Sequence, residues 1–311
     1  MRLAYIPVFV RRAKMTVFNS IDQVISELHK VGYVADRSLA TVIYLAYHLE
    51  KPIFLEGEPG VGKTEVAIVM SRLFNTKLIR LQCYEGLDAS TALYEWNYPK
   101  QLLYIRLEEQ RGSSEKDIEK VIYSEQFLIK RPLLEAILYS KEKPPILLID
   151  EIDRADEEFE AFLLEVLSDF QITIPEIGTI KAEKKPIVII TSNRTRDVHD
   201  ALKRRCLYHW IDYPSFDKEY RIILTKIPSI EVDFAKQITK FMQSMRKLDF
   251  LKRPGISETL DWAKALIAMH KHYLDEEVVF ETIGCILKYQ EDIKKFKEEI
   301  WSDHEKRAEF I

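Results

Sequence analysis

The stretch GEPGVGKT, Gly57 to Thr64, fits the spacing G-x-x-x-x-G-K-[ST]. That spacing suits the cradling of a polyphosphate. Gly57, Gly60 and Gly62 let the backbone wrap the phosphates with its N–H groups turned inward, and the following helix presents its positive end. Lys63 would neutralise charge on the β- and γ-phosphates of a triphosphate, and Thr64 would ligate Mg2+. Nucleotide contacts are expected through Gly57, Glu58, Pro59, Gly60, Val61, Gly62, Lys63, Thr64 and Glu65. A glycine-rich turn without a ligand is the lesser reading, since a chance match is on the order of one in a hundred at average glycine usage.

Three further stretches complete the chemistry. ILLIDE, Ile146 to Glu151, is an apolar run ending in two carboxylates. Asp150 would hold the metal shell and Glu151 would orient and polarise the attacking water. TSNRT, Thr191 to Thr195, ends another apolar run, where Asn193 could bridge the γ-phosphate and the water held by Glu151. ALKRRCLYHW sets Arg204 and Arg205 at the end of a short helix. An arginine there faces away from its own nucleotide and could reach a neighbouring subunit's. The plainer alternatives are helix-capping acids, a strand-end turn and a surface basic pair.

Elements must bring these residues together. Pro52–Glu56, Lys77–Cys83, Pro145–Asp150, Pro186–Thr191 and Leu207–Asp212 read as short buried strands, with helical patterns such as EVAIVMSRLF and DEEFEAFLLEVLSDF between them. Strand–helix alternation implies a parallel sheet covered on both faces. Gln171–Pro186 breaks it as a hairpin. After Pro214 only helical periodicity remains, with breaks at Pro228, Arg253–Gly255 and Tyr273, giving about four helices. The division is then an extension at 1–14, an α/β core at 15–213 and a helical domain at 214–311.

Thr64 and Asp150 stand 86 residues apart, more than a helix, a strand and a helix need, so extra elements are inserted there. Within the interval, LQCYEGLDASTALYEWNYPKQLLYI carries Tyr94, Trp96 and Tyr98 in alternation. In an extended chain these would share one face, expected to meet a client, a ring pore or an adjacent subunit, with Leu93, Leu102 and Leu103 anchoring the base. Packing within one subunit is the competing reading. In the tail, Ile293, Phe296 and Ile300 suit an amphipathic helix docked on its own domain.

Composition narrows the classes. The 311 residues are 47% hydrophobic and 31% charged, with a net charge of -4, so no global basic field exists to grip nucleic acid. Cys83, Cys206 and Cys285 match no metal or disulfide framework and read as buried thiols in a reducing compartment. The apolar run Leu3–Val10 is too short to span a bilayer. A cytoplasmic protein without a transmembrane segment is expected.

Taken in order, these features resemble the AAA+ ATPases. The hairpin before the Asn193 strand, the long interval after the P-loop and the helical C-terminus resemble the MoxR branch. YEGLDASTALYEWNYPKQLL, TSNRTRDVHDALKRRCLYHWIDYP and RPGISETLDWAKAL look like the CoxD-type ATPases of carbon monoxide dehydrogenase maturation. The resemblance runs from about Phe18 to Met269. It implies an α/β P-loop core with a parallel five-stranded sheet, an inserted helix-2 region, a pre-sensor-1 β-hairpin and an all-α lid. It further implies ATP with Mg2+, Asn193 as sensor 1, Arg205 as the finger, a homo-oligomer (a hexamer), a client metalloenzyme and a von Willebrand A-domain partner. The sensor-2 arginine position falls on Ser257, with Arg253 or Lys252 as substitutes from the preceding loop. An ATP-driven loader or motor on nucleic acid is the alternative, disfavoured by the acidic balance and the lack of a basic stripe in the insert.

Overall fold

The computed structural model describes residues 18–112, 114–139, 143–302 and 310. The expected extension at 1–14 lies outside them. Nine strands occur among the described residues: β1 (Ile53–Gly57), β2 (Leu78–Gln82), β3 (Tyr94–Trp96), β4 (Leu128–Lys130), β5 (Ile146–Asp150), β6 (Gln171–Ile174), β7 (Gly178–Lys181), β8 (Ile187–Ser192) and β9 (Leu207–Ile211).

The five expected apolar runs form one parallel sheet in the order β2-β5-β8-β1-β9. Helices cover both faces, which is why β1 and β5 are buried at every residue. On one face Phe54, Leu147 and Ile149 pack against Phe159 and Leu163 of helix Glu157–Asp169. On the other, Ile53, Leu55 and Leu148 pack against Val66 and Met70 of helix Lys63–Phe74. Parallel strands bring their carboxyl ends to one edge, so β1, β5 and β8 deliver Gly57, Asp150 and Ser192 side by side.

The expected hairpin is β6–β7, paired antiparallel with Ile174 opposite Gly178. The expected insertion holds helices Ala89–Leu93, Tyr98–Arg111 and Glu115–Ile122, with β3 and β4 paired antiparallel. Its aromatic face is not the one expected. Asn97 accepts the Lys100 N–H at 3.1 Å and Pro99 sits in the first turn, so Tyr98 opens a helix instead of extending the strand. Trp96 is 8% exposed, edge-on to Tyr94 and Tyr123, whereas Tyr98 is 61% exposed. Leu102 and Leu103 are not anchors. The helix buries its other edge through Gln101, bonded to the Ile122 carbonyl, and Tyr104, edge-on to Phe127, leaving both leucines exposed. Leu93 does pack inward.

Past Ile211 the described elements are helical: Phe216–Lys226, Val232–Met245, Ile256–Ala268, Glu276–Thr282 and Gln290–Lys295, the last running into a wider turn at Phe296–Trp301. One helix more than expected arises because a 3-10 turn at Ile283–Cys285 splits the final run. Phe296 and Ile300 join Phe234, Phe241 and Trp262 in a separate core, as the tail's spacing implied. Cys83 and Cys206 are buried; Cys285, expected to be so, is half-buried. No helix among the described residues is long and apolar enough to cross a membrane.

Candidate active site

β1 feeds the loop that ends at Gly62, and Lys63 opens the next helix. Only glycine fits at position 57, because a Cβ there would lie 2.2 Å from the Ile211 carbonyl oxygen. Lys63 is buried and its Nζ donates to the Gly57 and Glu58 carbonyls, each at 2.7 Å. Burial lowers its ammonium to about 8, against the opposing pull of Asp153, Glu58, Asp150 and Glu151. A cation held on two loop carbonyls is ready to move to an anionic ligand.

Asp150 is almost fully enclosed. Its Oδ1 accepts from the Thr64 hydroxyl at 3.1 Å and the Thr191 hydroxyl at 2.6 Å, and its Oδ2 accepts from Arg80 at 2.5 Å. Glu151 turns the chain with φ 58° and ψ 52°, a left-handed conformation that costs an ordinary side chain about 1–2 kcal/mol. The turn puts its carboxylate among three donors: Gln82 at 3.2 Å and Arg154 at 2.9 Å on Oε2, and Asn193 at 3.3 Å on Oε1. Asn193 is itself fixed by Asp153, which accepts the N–H groups of Asn193 and Thr195 at 3.2 and 2.9 Å and the Thr195 hydroxyl at 2.7 Å. Burial alone would raise the Asp153 carboxyl; these hydrogen bonds outweigh it and hold it below the usual range.

A cavity of about 350 Å³ gathers Pro59, Gly60, Gly62, Lys63, Thr64, Glu65, Asp150, Glu151 and Asn193. Gly57 and Glu58 contribute through the carbonyls that hold Lys63. Arg205 stands elsewhere, its guanidinium on the Leu164 carbonyl and the Ser168 hydroxyl. A hydroxyl beside a carboxylate is a hard-oxygen pair suited to Mg2+, and Arg80 already stands on Asp150 as a cation. Among the described residues no group of three or more His, Cys, Asp or Glu side chains could hold a metal, so a cation here would draw further oxygens from the ligand and water.

The C-terminal helices touch this loop directly. Ile256 and Ser257 donate their N–H groups to the Gly60 carbonyl at 3.0 and 3.3 Å. The approach depends on Gly255, where a Cβ would meet the Gly60 oxygen at 2.7 Å. Ser257 thus stands at the loop as its alignment implied, while Lys252 and Arg253 lie exposed in the preceding turn. Two ion pairs hold the same junction, Lys226 to Glu65 at 2.6 Å and Lys218 to Asp36 at 2.8 Å. Behind the loop lies a second pocket of about 290 Å³, whose apolar wall includes Val34, Val61, Ile222, Ile256 and Leu260. It shares Gly62, Glu65 and Ser257 with the first cavity.

A sequence-family profile, AAA domain (dynein-related subfamily), matches residues 52–206, from β1 through the helix that carries Arg205. An uncharacterized protein of Staphylococcus haemolyticus is 30% identical over 240 residues, 75% of this chain and 82% of that protein. The chain belongs to the AAA+ ATPase family. A Staphylococcus epidermidis uncharacterized protein is 28% identical over 228 residues, covering 71% of this chain and 77% of its own. The RuvB Holliday junction branch migration motor of Thermotoga maritima superposes with a TM-score of 0.45 at 17% identity, covering 91% of this chain and 79% of that one.

Four side chains of this AAA+ site escaped the sequence reading as participants. Arg80 and Gln82 sit in a strand that reads as plain core, and only their polarity at alternate positions marks a non-apolar face. Thr191 opens TSNRT and Asp153 follows ILLIDE by two residues, and neither is singled out by its spacing. The pocket behind the loop is not marked in the sequence either, because its walls come from four separated stretches, at 32–34, 61–65, 211–226 and 256–264.

Proposed function

We propose that this AAA+ protein binds and hydrolyses ATP with Mg2+, and that Gly57 to Glu65, Asp150, Glu151 and Asn193 perform the work. The observation that carries this reading is the convergence of Lys63, Thr64, Asp150, Glu151 and Asn193 on one cavity. Lys63 leaves its two carbonyls for the β- and γ-phosphates. Thr64 and Asp150 hold Mg2+, which when bound neutralises charge on the phosphate oxygens. Glu151 accepts a proton from the water that attacks the γ-phosphorus as the bond to the β-phosphate oxygen breaks, and Asn193 aligns Glu151. The pocket walled by Val34, Ile256 and Leu260 takes the planar base, so the helical region acts as a lid that bridges base and phosphates. Ser257 supplies no cation, and lid-to-phosphate coupling runs through the Gly60 carbonyl.

The wider role rests on sequence resemblance. YEGLD and NRTRDVHDALKRRC support a MoxR-type, CoxD-like ATPase in a cytoplasmic homo-oligomer, with Arg205 serving a neighbouring subunit. Such a machine would remodel a client metalloenzyme, of the molybdenum hydroxylase type, with a von Willebrand A-domain partner. The exposed Tyr98, Leu102, Leu103 and Leu107 offer it an apolar contact surface. Purifying Glu151→Gln from cells that express candidate clients, with ATP throughout, tests this. A client retained with ATP and shed with ADP is expected; equal retention in both, or none, would overturn the remodelling role.

A further inference from the structure

β2 is an edge strand, and Arg80 and Gln82 project from the face that β5 shares through Leu148 and Asp150. The Arg80 side chain is 53% exposed, yet its guanidinium ends on a carboxylate that is 3% exposed. The same Nη2 donates to Gln82 Oε1 at 2.6 Å, and Gln82 Nε2 donates to Glu151 Oε2 at 3.2 Å. One chain of contacts therefore runs from Asp150 through Arg80 and Gln82 to Glu151.

We propose that Arg80 is a resident counter-ion of the metal site, a positioning residue that holds Asp150 until Mg2+ arrives with nucleotide and is then displaced. The inference rests on the reading of the cavity as a Mg2+–ATP site. Asp150 Oδ1 takes the shorter contacts of both hydroxyls, while Oδ2 holds Arg80 at 2.5 Å with the Thr64 hydroxyl at 3.5 Å, so Oδ2 is the oxygen with a charged ligand to exchange. A divalent ion beside Thr64 brings like charge against the guanidinium. Arg80 is half in solvent and can swing out without exposing a core. As it leaves, Gln82 Oε1 loses its donor, so the amide that holds Glu151 is freed to turn. Metal arrival is thereby reported to the residue that would polarise water.

The assignment predicts effects of opposite sign. Without metal, Arg80 offsets the Asp150 charge that would repel phosphates, so Arg80→Ala weakens metal-free nucleotide binding. With metal, Arg80 competes for Asp150, so Arg80→Ala lowers the Mg2+ concentration needed. Calorimetric titration of the full chain with the non-hydrolysable analogue adenylyl imidodiphosphate, in EDTA and across a Mg2+ series, reads both. For Arg80→Ala each shift is expected at about fivefold or more, the lower end of typical site-to-site coupling. Arg80→Lys should return both towards wild type. Should Arg80→Ala fail to fold, Arg80→Gln carries the same test at nearly the same length. An unchanged Mg2+ midpoint, or both arms weakening together, overturns the proposal while leaving the nucleotide site standing. Wild-type protein that takes up no analogue in either arm removes the nucleotide site and the proposal together.

Discussion

The two cavities on either side of the P-loop share Gly62, Glu65 and Ser257 but are built in different ways. The side proposed for the phosphates collects polar groups from the loop and the ends of adjacent parallel strands. Its carboxylates are already engaged, Asp150 and Glu151 by hydroxyls, amides and guanidinium groups and Glu65 by the Lys226 ammonium. The side proposed for the base sets an apolar wall of Val34, Val61, Ile256 and Leu260 beside charged Glu65, Lys218 and Lys226. It is assembled from residues 32–34, the loop itself, the segment 211–214 and two C-terminal helices. Strand ends are fixed by the sheet ladder. The second pocket takes part of its wall from the C-terminal helices, whose Ile256 and Ser257 N–H groups rest on the Gly60 carbonyl. Polar chemistry thus sits on the sheet, whereas the nucleoside grip proposed above depends on how the C-terminal helices dock on the loop.

That contrast can be broken first at Leu260. Leu260→Asp puts a charge in the base wall, and ATP affinity should fall roughly 10- to 100-fold. Inorganic tripolyphosphate, which lacks a base, should bind within about twofold of wild type. Equal losses for both ligands in parallel titrations would mean that the two pockets are not separable.

The phosphate side should answer to pH. Burial lowers Lys63 to about 8, and phosphate contacts in the proposed complex would raise it. Binding is therefore favoured where Lys63 is charged and weakens as pH rises through the free value. Nucleotide affinity should be level below about pH 7 and fall by up to about tenfold per unit above about pH 8. Lys63→Met should abolish the slope as well as most of the affinity; a slope that survives it belongs to another group.

A smaller effect is expected at the junction. Gly255→Ala forces a methyl against Gly60 and should cost about 1–3 kcal/mol of lid docking. A lower melting temperature and ATP affinity, with tripolyphosphate binding unchanged, would place that loss on the base side.

The same contrast explains what could be read from sequence. The P-loop, ILLIDE and the sheet were legible because each is a local pattern whose spacing carries its own geometry. Asn193 was legible as a candidate because it directly follows an apolar strand. Arg80 and Gln82 were not, since their role comes from register against Asp150, a partner 70 and 68 residues away. The aromatic run misled for a local reason: alternation of Tyr94, Trp96 and Tyr98 suggested one extended face, but Asn97 caps a helix and sends Tyr98 out while Trp96 turns in. The exposed leucines that follow could not be told from anchors without knowing which edge Gln101 and Tyr104 bury.

The central claim is that Glu151 acts on water while Lys63, Thr64 and Asp150 hold the nucleotide. A single-turnover measurement with radiolabelled ATP on wild type and Glu151→Gln, reading bound ATP and released phosphate from the same samples, tests it most directly. Glu151→Gln should bind ATP within about threefold of wild type and release phosphate at least about a hundredfold more slowly. Phosphate release by Glu151→Gln at the wild-type rate, with ATP bound equally by both, would contradict the account.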